Sequence, residues 1–276
     1  MDVRRRRHIS LKGLRRLDVV ALVVIAGYAA LAWSASSGTS IAGQGLDPAW
    51  AAVQQRRTIR VAVDLGFYPF TWMADGQPAG YDIDLARAVA AKLGVQAEFV
   101  PTGLDAIYDD LAARRADMAV SALPYAPAPG WRARFSRFYF NAGQVLVVRA
   151  GSPVVSEADL SGRVVGVALG TDADTYARRR LAEGLHVTLR ATYDEPADAL
   201  AALQRGDLDA AIVDHAAALI ALAHAPELRI VAALTLEPYV IAVAPESYRL
   251  HDAINQALDE LRAEGFFDEL GRKWFR

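Results

Sequence analysis

The sequence predicts an α/β protein built as two similar halves, each a mostly parallel sheet with helices on its faces. Three observations carry this. From about residue 57 onward, short apolar runs alternate with amphipathic stretches of helical period. Gly151-Ser152-Pro153 punctuates the chain between two such series. Leu111, Asp117 and Ala119 recur as Leu203, Asp209 and Ala211 at a constant offset of 92, each trio reading as helix, tight turn and buried strand.

The elements follow in order. Residues 58–64 form a strand, and a loop interrupted by Gly66 and Pro69 carries the chain to Gly80. Residues 82–93 form a helix. Asp82 can cap its first turn, and Asp84 suits the positive end of its dipole. Ile83, Ala86, Val89, Ala90 and Leu93 share its apolar face, and Gly94 stops it. A strand at 96–100, a helix at 104–115 with Ile107 and Leu111 inward, and strands at 117–122 and 144–149 complete the first series. The second begins with a strand at 163–169. A helix at 172–183, a strand at 186–191, a helix at 196–205 and a strand at 208–213 follow. Next come a helix at 215–223, a strand at 228–231 and a returning strand at 239–243. Helices at 250–264 and 266–275 close the chain.

The N-terminus is of another kind. Residues 1–16 hold seven Lys or Arg against Asp2, so the remainder has 23 basic and 31 acidic residues, a balance of −8. An acidic body excludes a nucleic-acid partner. The basic run precedes a nearly continuous apolar stretch at 19–33, the pattern that keeps an N-terminus inside and sends the rest across a membrane. Residues 1–35 are therefore a signal peptide cut after Ala32 or Ala35, or an uncleaved anchor holding the chain to the membrane through residues 17–33. Residues 36–56 read as a linker, small and polar at first. The absence of cysteine excludes disulfides, thiolate metal sites and a cysteine nucleophile.

In open α/β sheets, ligands bind beyond the carboxyl ends of strands. That rule selects Asp64, Ser121, Gly170-Thr171-Asp172 and Asp214. Each also has a plain structural reading. Asp214, Thr171 and Asp172 can be helix caps, Asp64 a turn residue. Asp117 and Asp209, at strand starts, are turn-formers away from any cleft. Of Phe67, Tyr68, Phe70 and Trp72, one is expected to face a ligand and the rest to be core. Enzyme signatures are missing: His186, His215, His224 and His251 lack metal-ligand spacing, and there is no nucleophile elbow, phosphate loop or dinucleotide fingerprint. No cofactor is expected.

The run from Gly80 to Leu93, Tyr81-Asp82-Ile83-Asp84-Leu85-Ala86 at its core, resembles the signature of the family 3 extracytoplasmic solute-binding proteins. Phe135-Ser136-Arg137-Phe138-Tyr139, Asp159-Leu160-Ser161-Gly162 through Val167, and Glu269-Leu270 with Lys273-Trp274-Phe275 are similar to further stretches of that family, so the resemblance covers nearly all of residues 57–275. It implies a two-lobed periplasmic-binding-protein type II fold, with residues 57–143 and 238–276 in the first lobe and 144–237 in the second. It also implies a small-molecule solute bound between the lobes, a monomer, and permease subunits of an ABC importer as partners.

Position by position, the family's acidic partner for a ligand ammonium matches Asp214, its aromatic Phe67, and its serine Ser121. Its second-lobe loop matches Gly170-Thr171-Asp172, with Asp172 in place of a threonine. Its second aromatic matches Leu104. The arginine that clamps an α-carboxylate falls on Pro129, and the threonine three residues before it on Ala126. Proline cannot form the bidentate pair that a guanidinium offers. Arg132, one turn on, is the residue that could reach in as a displaced clamp. Without it, Asp64, Asp172 and Asp214 would suit an amine or another cationic solute. Two other readings stay open on the same fold: a sensory module without transport, and a cyclohexadienyl-dehydratase-like enzyme with Asp172 as the unusual acid.

Overall fold

The computed structural model describes residues 47–126 and 132–275. The expected signal or anchor segment, residues 36–46 of the expected linker, and Pro129 lie outside the described residues.

The chain opens with α1 (Pro48–Arg56), β1 (Thr58–Val63), the hairpin β2 (Trp72–Ala74) and β3 (Gln77–Ala79), α2 (Tyr81–Lys92), β4 (Gln96–Pro101), α3 (Ile107–Ala112) and β5 (Met118–Ala119). Short strands β6 (Arg134–Phe135) and β7 (Phe140–Asn141) lead to β8 (Gln144–Arg149). The second series runs β9 (Val164–Ala168), α4 (Asp172–Ala182), β10 (Thr188–Tyr193), α5 (Pro196–Arg205), β11 (Ala210–Asp214), α6 (His215–His224) and β12 (Leu228–Ala233). The chain then returns through β13 (Pro238–Tyr239) and β14 (Ala242–Val243) to α7 (Tyr248–Ala263) and α8 (Phe266–Trp274).

Two five-stranded sheets result, each the base of one lobe. The first has the order β4-β1-β5-β14-β6 and the second β10-β9-β11-β8-β12. In the first, β1 is parallel to β4 and β5, while β14 runs antiparallel to β5 and β6. In the second, β9 is parallel to β10 and β11, while β8 runs antiparallel to β11 and β12. Parallel pairs need crossover helices, which is why strand–helix alternation marks them in sequence. The antiparallel strands are the ones that carry the chain between sheets. There β7 pairs with β13, Phe140 opposite Tyr239 and Asn141 opposite Pro238.

The first lobe's core forms where α2, α7 and α8 pack on β1, burying Ile59, Val61, Leu85, Val89, Ile254 and Leu258. Phe70 sits at an aromatic knot with Phe140, Tyr239 and Phe275, ring centroids 5.1, 5.3 and 5.9 Å away. Gly80 permits this. Its φ is +134°, and a Cβ there would drive into the carbonyl of Phe70.

Three expectations need correction. Residues 48–56 are helix rather than linker, because Asp47 caps α1 from a buried position, accepting from Ala49 N at 3.0 Å and Trp50 N at 3.1 Å. The helix expected at 104–115 is a 3₁₀ turn at Leu104–Ala106 followed by the six residues of α3. Asp82 does not cap α2. Gly80 is the cap residue, without a side-chain bond, and Asp82 turns inward to full burial.

Candidate functional site

The carboxyl ends of β1 and β5 bring Asp64 and Ser121 together. Ser121 Oγ accepts from the Asp64 N–H at 2.9 Å, and Asp64 Oδ2 accepts from the Leu104 N–H at 3.3 Å. Asp64, Leu104 and Ser121 thus form one cluster at one strand-end edge. Phe67 stands beside this edge in the loop after β1, 49% exposed and stacked on Phe70 at 5.5 Å. Of the four loop aromatics, Phe70 is core, and Tyr68 and Trp72 pair with each other at 4.7 Å. Phe67 and Tyr68 are the exposed ones.

Ser121 is set by what lies beneath it. Ala122 adopts φ +45°, an unfavourable conformation for a residue with a Cβ. Its N–H donates to Asp82 Oδ2, which also accepts from Tyr139 Oη at 3.0 Å. Burial pushes the Asp82 carboxyl up to about 7, against the lowering effect of both hydrogen bonds. Burial, and after it the charge and hydrogen bond of Asp82, drives the Tyr139 phenol well above its ordinary value.

The second lobe supplies a defined hollow. A cavity of about 340 Å³ lies at the carboxyl ends of β9 and β11, lined by Gln144, Gly170, Thr171, Asp172, Pro196 and Asp214 among others, all from the second sheet and its connections. Thr171 and Asp214 are also caps. Thr171 Oγ1 accepts from Asp174 N at 3.4 Å and donates to the Ala168 carbonyl at 2.8 Å. Asp214 Oδ1 accepts from Ala217 N at 2.8 Å. Asp172 is exposed on the first turn of α4. Gln144 is a polar lining residue that a rule based on carboxyl ends misses, because it opens β8 and so lies at the amino end of its strand.

Arg132 lies beside α3. Its guanidinium pairs with Asp109 and lies 5.5 Å over the Tyr108 ring. A larger hollow of about 1000 Å³ lies between α6 and the C-terminal helices, lined by Phe140, Leu219, Leu222, Phe267 and Phe275 among others, and holds none of the expected site residues. Asp117 and Asp209 are not simple turn-formers. Asp117 accepts from Arg60 N at 2.8 Å, and Asp209 from Val164 N at 2.8 Å. Among the described residues no cluster of His, Asp and Glu could hold a metal ion, and no helix is long and apolar enough to cross a membrane.

Two sheets joined by paired crossing strands, with strand-end acids on both, define a two-lobed type II binding-protein architecture. Residues 59–276 match the bacterial extracellular solute-binding proteins, family 3, and the chain belongs to that family. It is similar to the L-cystine-binding protein TcyJ of Escherichia coli (strain K12), 28% identical over 264 residues that cover 94% of each chain. An ancestral cationic amino acid solute-binding protein is 30% identical, with a TM-score of 0.62 over 82% of this chain and 99% of that one. An ancestral cyclohexadienyl dehydratase is 27% identical, with a TM-score of 0.70 over 82% of this chain and 95% of that one. Membership of this family makes the chain an extracytoplasmic solute-binding protein.

Proposed function

We propose that the protein is the receptor of an ABC importer and captures a small amino-acid-like or cationic amine solute between its lobes. The observation that carries this is the 340 Å³ cavity at the strand ends of the second sheet, where Thr171, Asp172 and Asp214 stand together. In this reading the solute bridges that cavity to Asp64, Phe67, Leu104 and Ser121 of the first lobe. It draws the lobes together, because only the closed form lets both touch it. Asp64, Asp172 and Asp214 favour a positive charge, and Arg132 stays on Asp109. Residues 1–35 export the chain, which works as a monomer with the importer's permease subunits. The dehydratase resemblance supports a second reading less well. A proton-donating carboxyl needs the burial that raises its pKa, and Asp172 is exposed.

Calorimetry against the amino acids, putrescine and spermidine tests the receptor, with turnover of prephenate and arogenate measured alongside. Saturable binding of an amine or amino acid without turnover is expected. Turnover, or no binding across the panel, would overturn the reading.

A further inference from the structure

Gln144 is 4% exposed, and its main chain is fully engaged. Its N–H donates to Thr235 Oγ1 at 2.7 Å, and its carbonyl accepts from Leu234 N at 2.8 Å. Its side-chain Oε1 is buried with no hydrogen-bond partner. In the antiparallel ladder Gln144 lies directly opposite Asp214, and directly opposed residues project from the same face of a sheet. Both line the second-lobe cavity, with Asp172 at its edge. Asp214 spends Oδ1 on the α6 cap.

We infer that Gln144 and Asp214 form a paired-acceptor notch for an N–H-bearing cation, an ammonium or guanidinium, and that the notch excludes quaternary ammonium. The inference rests on the cleft being the solute site. A buried oxygen without a donor costs on the order of 1–3 kcal/mol, so its persistence in a native structure calls for a reason, and at the wall of a cavity a bound species that donates to it supplies one. Of the donors that line the cavity, the Thr171 hydroxyl is spent on the Ala168 carbonyl and the Gly170 N–H on Asp174, and the carboxylates of Asp172 and Asp214 cannot donate. The missing group must therefore bring N–H bonds, and the acids at the rim favour one that is charged. A primary ammonium carries three such bonds and a guanidinium five; a trimethylammonium carries none and could answer the charge but not the amide oxygen.

The test is calorimetry of the full-length protein with four probes: L-arginine, putrescine, 1,4-bis(trimethylammonium)butane and glutarate. L-Arginine or putrescine should bind at least ten-fold tighter than the quaternary probe. Gln144→Met removes the amide at similar volume and should weaken that binding by roughly 10- to 100-fold, the range of a hydrogen bond to a charged group. It should leave the quaternary probe unaffected. Gln144→Glu, which keeps an acceptor, should retain binding within a few-fold. Equal affinity for N–H and quaternary cations overturns the notch, as does unchanged binding by Gln144→Met; either result leaves the receptor intact. Binding of glutarate alone does the same. If none of the four binds but another amino acid does, the notch fails and the receptor stands; if the wider panel of amino acids and polyamines is silent as well, both fail. The comparison of probes on the unaltered protein needs no variant, so it decides the matter even where Gln144→Met does not fold.

Discussion

At the level of single residues, Asp82 is the outlier, a carboxylate at full burial whose neighbours offer hydrogen bonds and no positive charge. It accepts from the Ala122 N–H and the Tyr139 phenol, and its charge adds to the burial that raises the Tyr81 and Tyr239 phenols. Its raised value, about 7 against 3.8 unfolded, has a definite sign. Between those values the native state holds a proton that the unfolded chain has released, so its contribution is fully present below about pH 4 and is lost as pH rises through 7. Asp82→Asn keeps an acceptor for Ala122 and removes the titration. Urea unfolding at pH 5 and pH 8 should show the parent losing on the order of a few kcal/mol more than the variant. Parallel behaviour of the two proteins would contradict the assignment. Sequence supplied the wrong role here for a physical reason. An aspartate on the first turn of a helix reads as local capping, and only tertiary packing reveals that its partner is Ala122, 40 residues on. Gln144 escaped for a similar reason, since its opposition to Asp214 depends on strand register. Asp214 and Thr171 were legible because cap and strand-end rules select the same residues.

At the level of elements, legibility followed how local the signals are. Pro196 at the first turn of α5 and Gly206 in the left-handed region after it bracket that helix to the residue. The β2–β3 hairpin carries an Asp75-Gly76 turn, both residues at positive φ, a signal local enough to read in sequence. The internal repeat has a structural meaning: Asp117 and Asp209 each extend a parallel pair at its start. Each accepts a side-chain bond from a strand N–H and returns its own N–H to that residue's carbonyl at 2.9 Å, on Arg60 and Val164 respectively. The helix at 48–56 was missed because its anchor is distant. Asp47 Oδ1 caps α1, while Oδ2 accepts from Arg249 N at 2.8 Å and Leu250 N at 3.1 Å at the start of α7. One buried carboxylate therefore satisfies two helix starts. Asp47→Ala should cost about 2–4 kcal/mol, twice an ordinary cap, because both sets of donors lose their acceptor. A loss below 1 kcal/mol in chemical denaturation would show that water replaces it at both ends.

For the whole molecule, the question is whether one solute engages both lobes. The acids are divided: Asp64 belongs to the first sheet's edge, bonded to Leu104, while Asp214 and Asp172 belong to the second sheet's cavity. The crossing between them is tight. A Cβ at Gly143 would collide with the Thr235 carbonyl, and His215, next to Asp214, holds the Asn141 carbonyl through Nδ1 at 2.8 Å. The residue beside the proposed ligand acid is thus in direct contact with the crossing strand. A solute at 100 times its Kd should stabilise the protein by about 2.7 kcal/mol, and so raise Tm by roughly 5–10 °C for a body of this size. If closure is required, Asp64→Asn and Asp214→Asn should each remove most of that shift, and the solute should reduce the radius of gyration of the parent protein alone. Asp214→Asn keeps an oxygen for the α6 cap, so its basal Tm should stay within a few degrees of the parent. A shift abolished by Asp214→Asn but untouched by Asp64→Asn, with no contraction in scattering, would mean that the second lobe holds the solute by itself. The two-lobed architecture would then be serving some purpose other than capture.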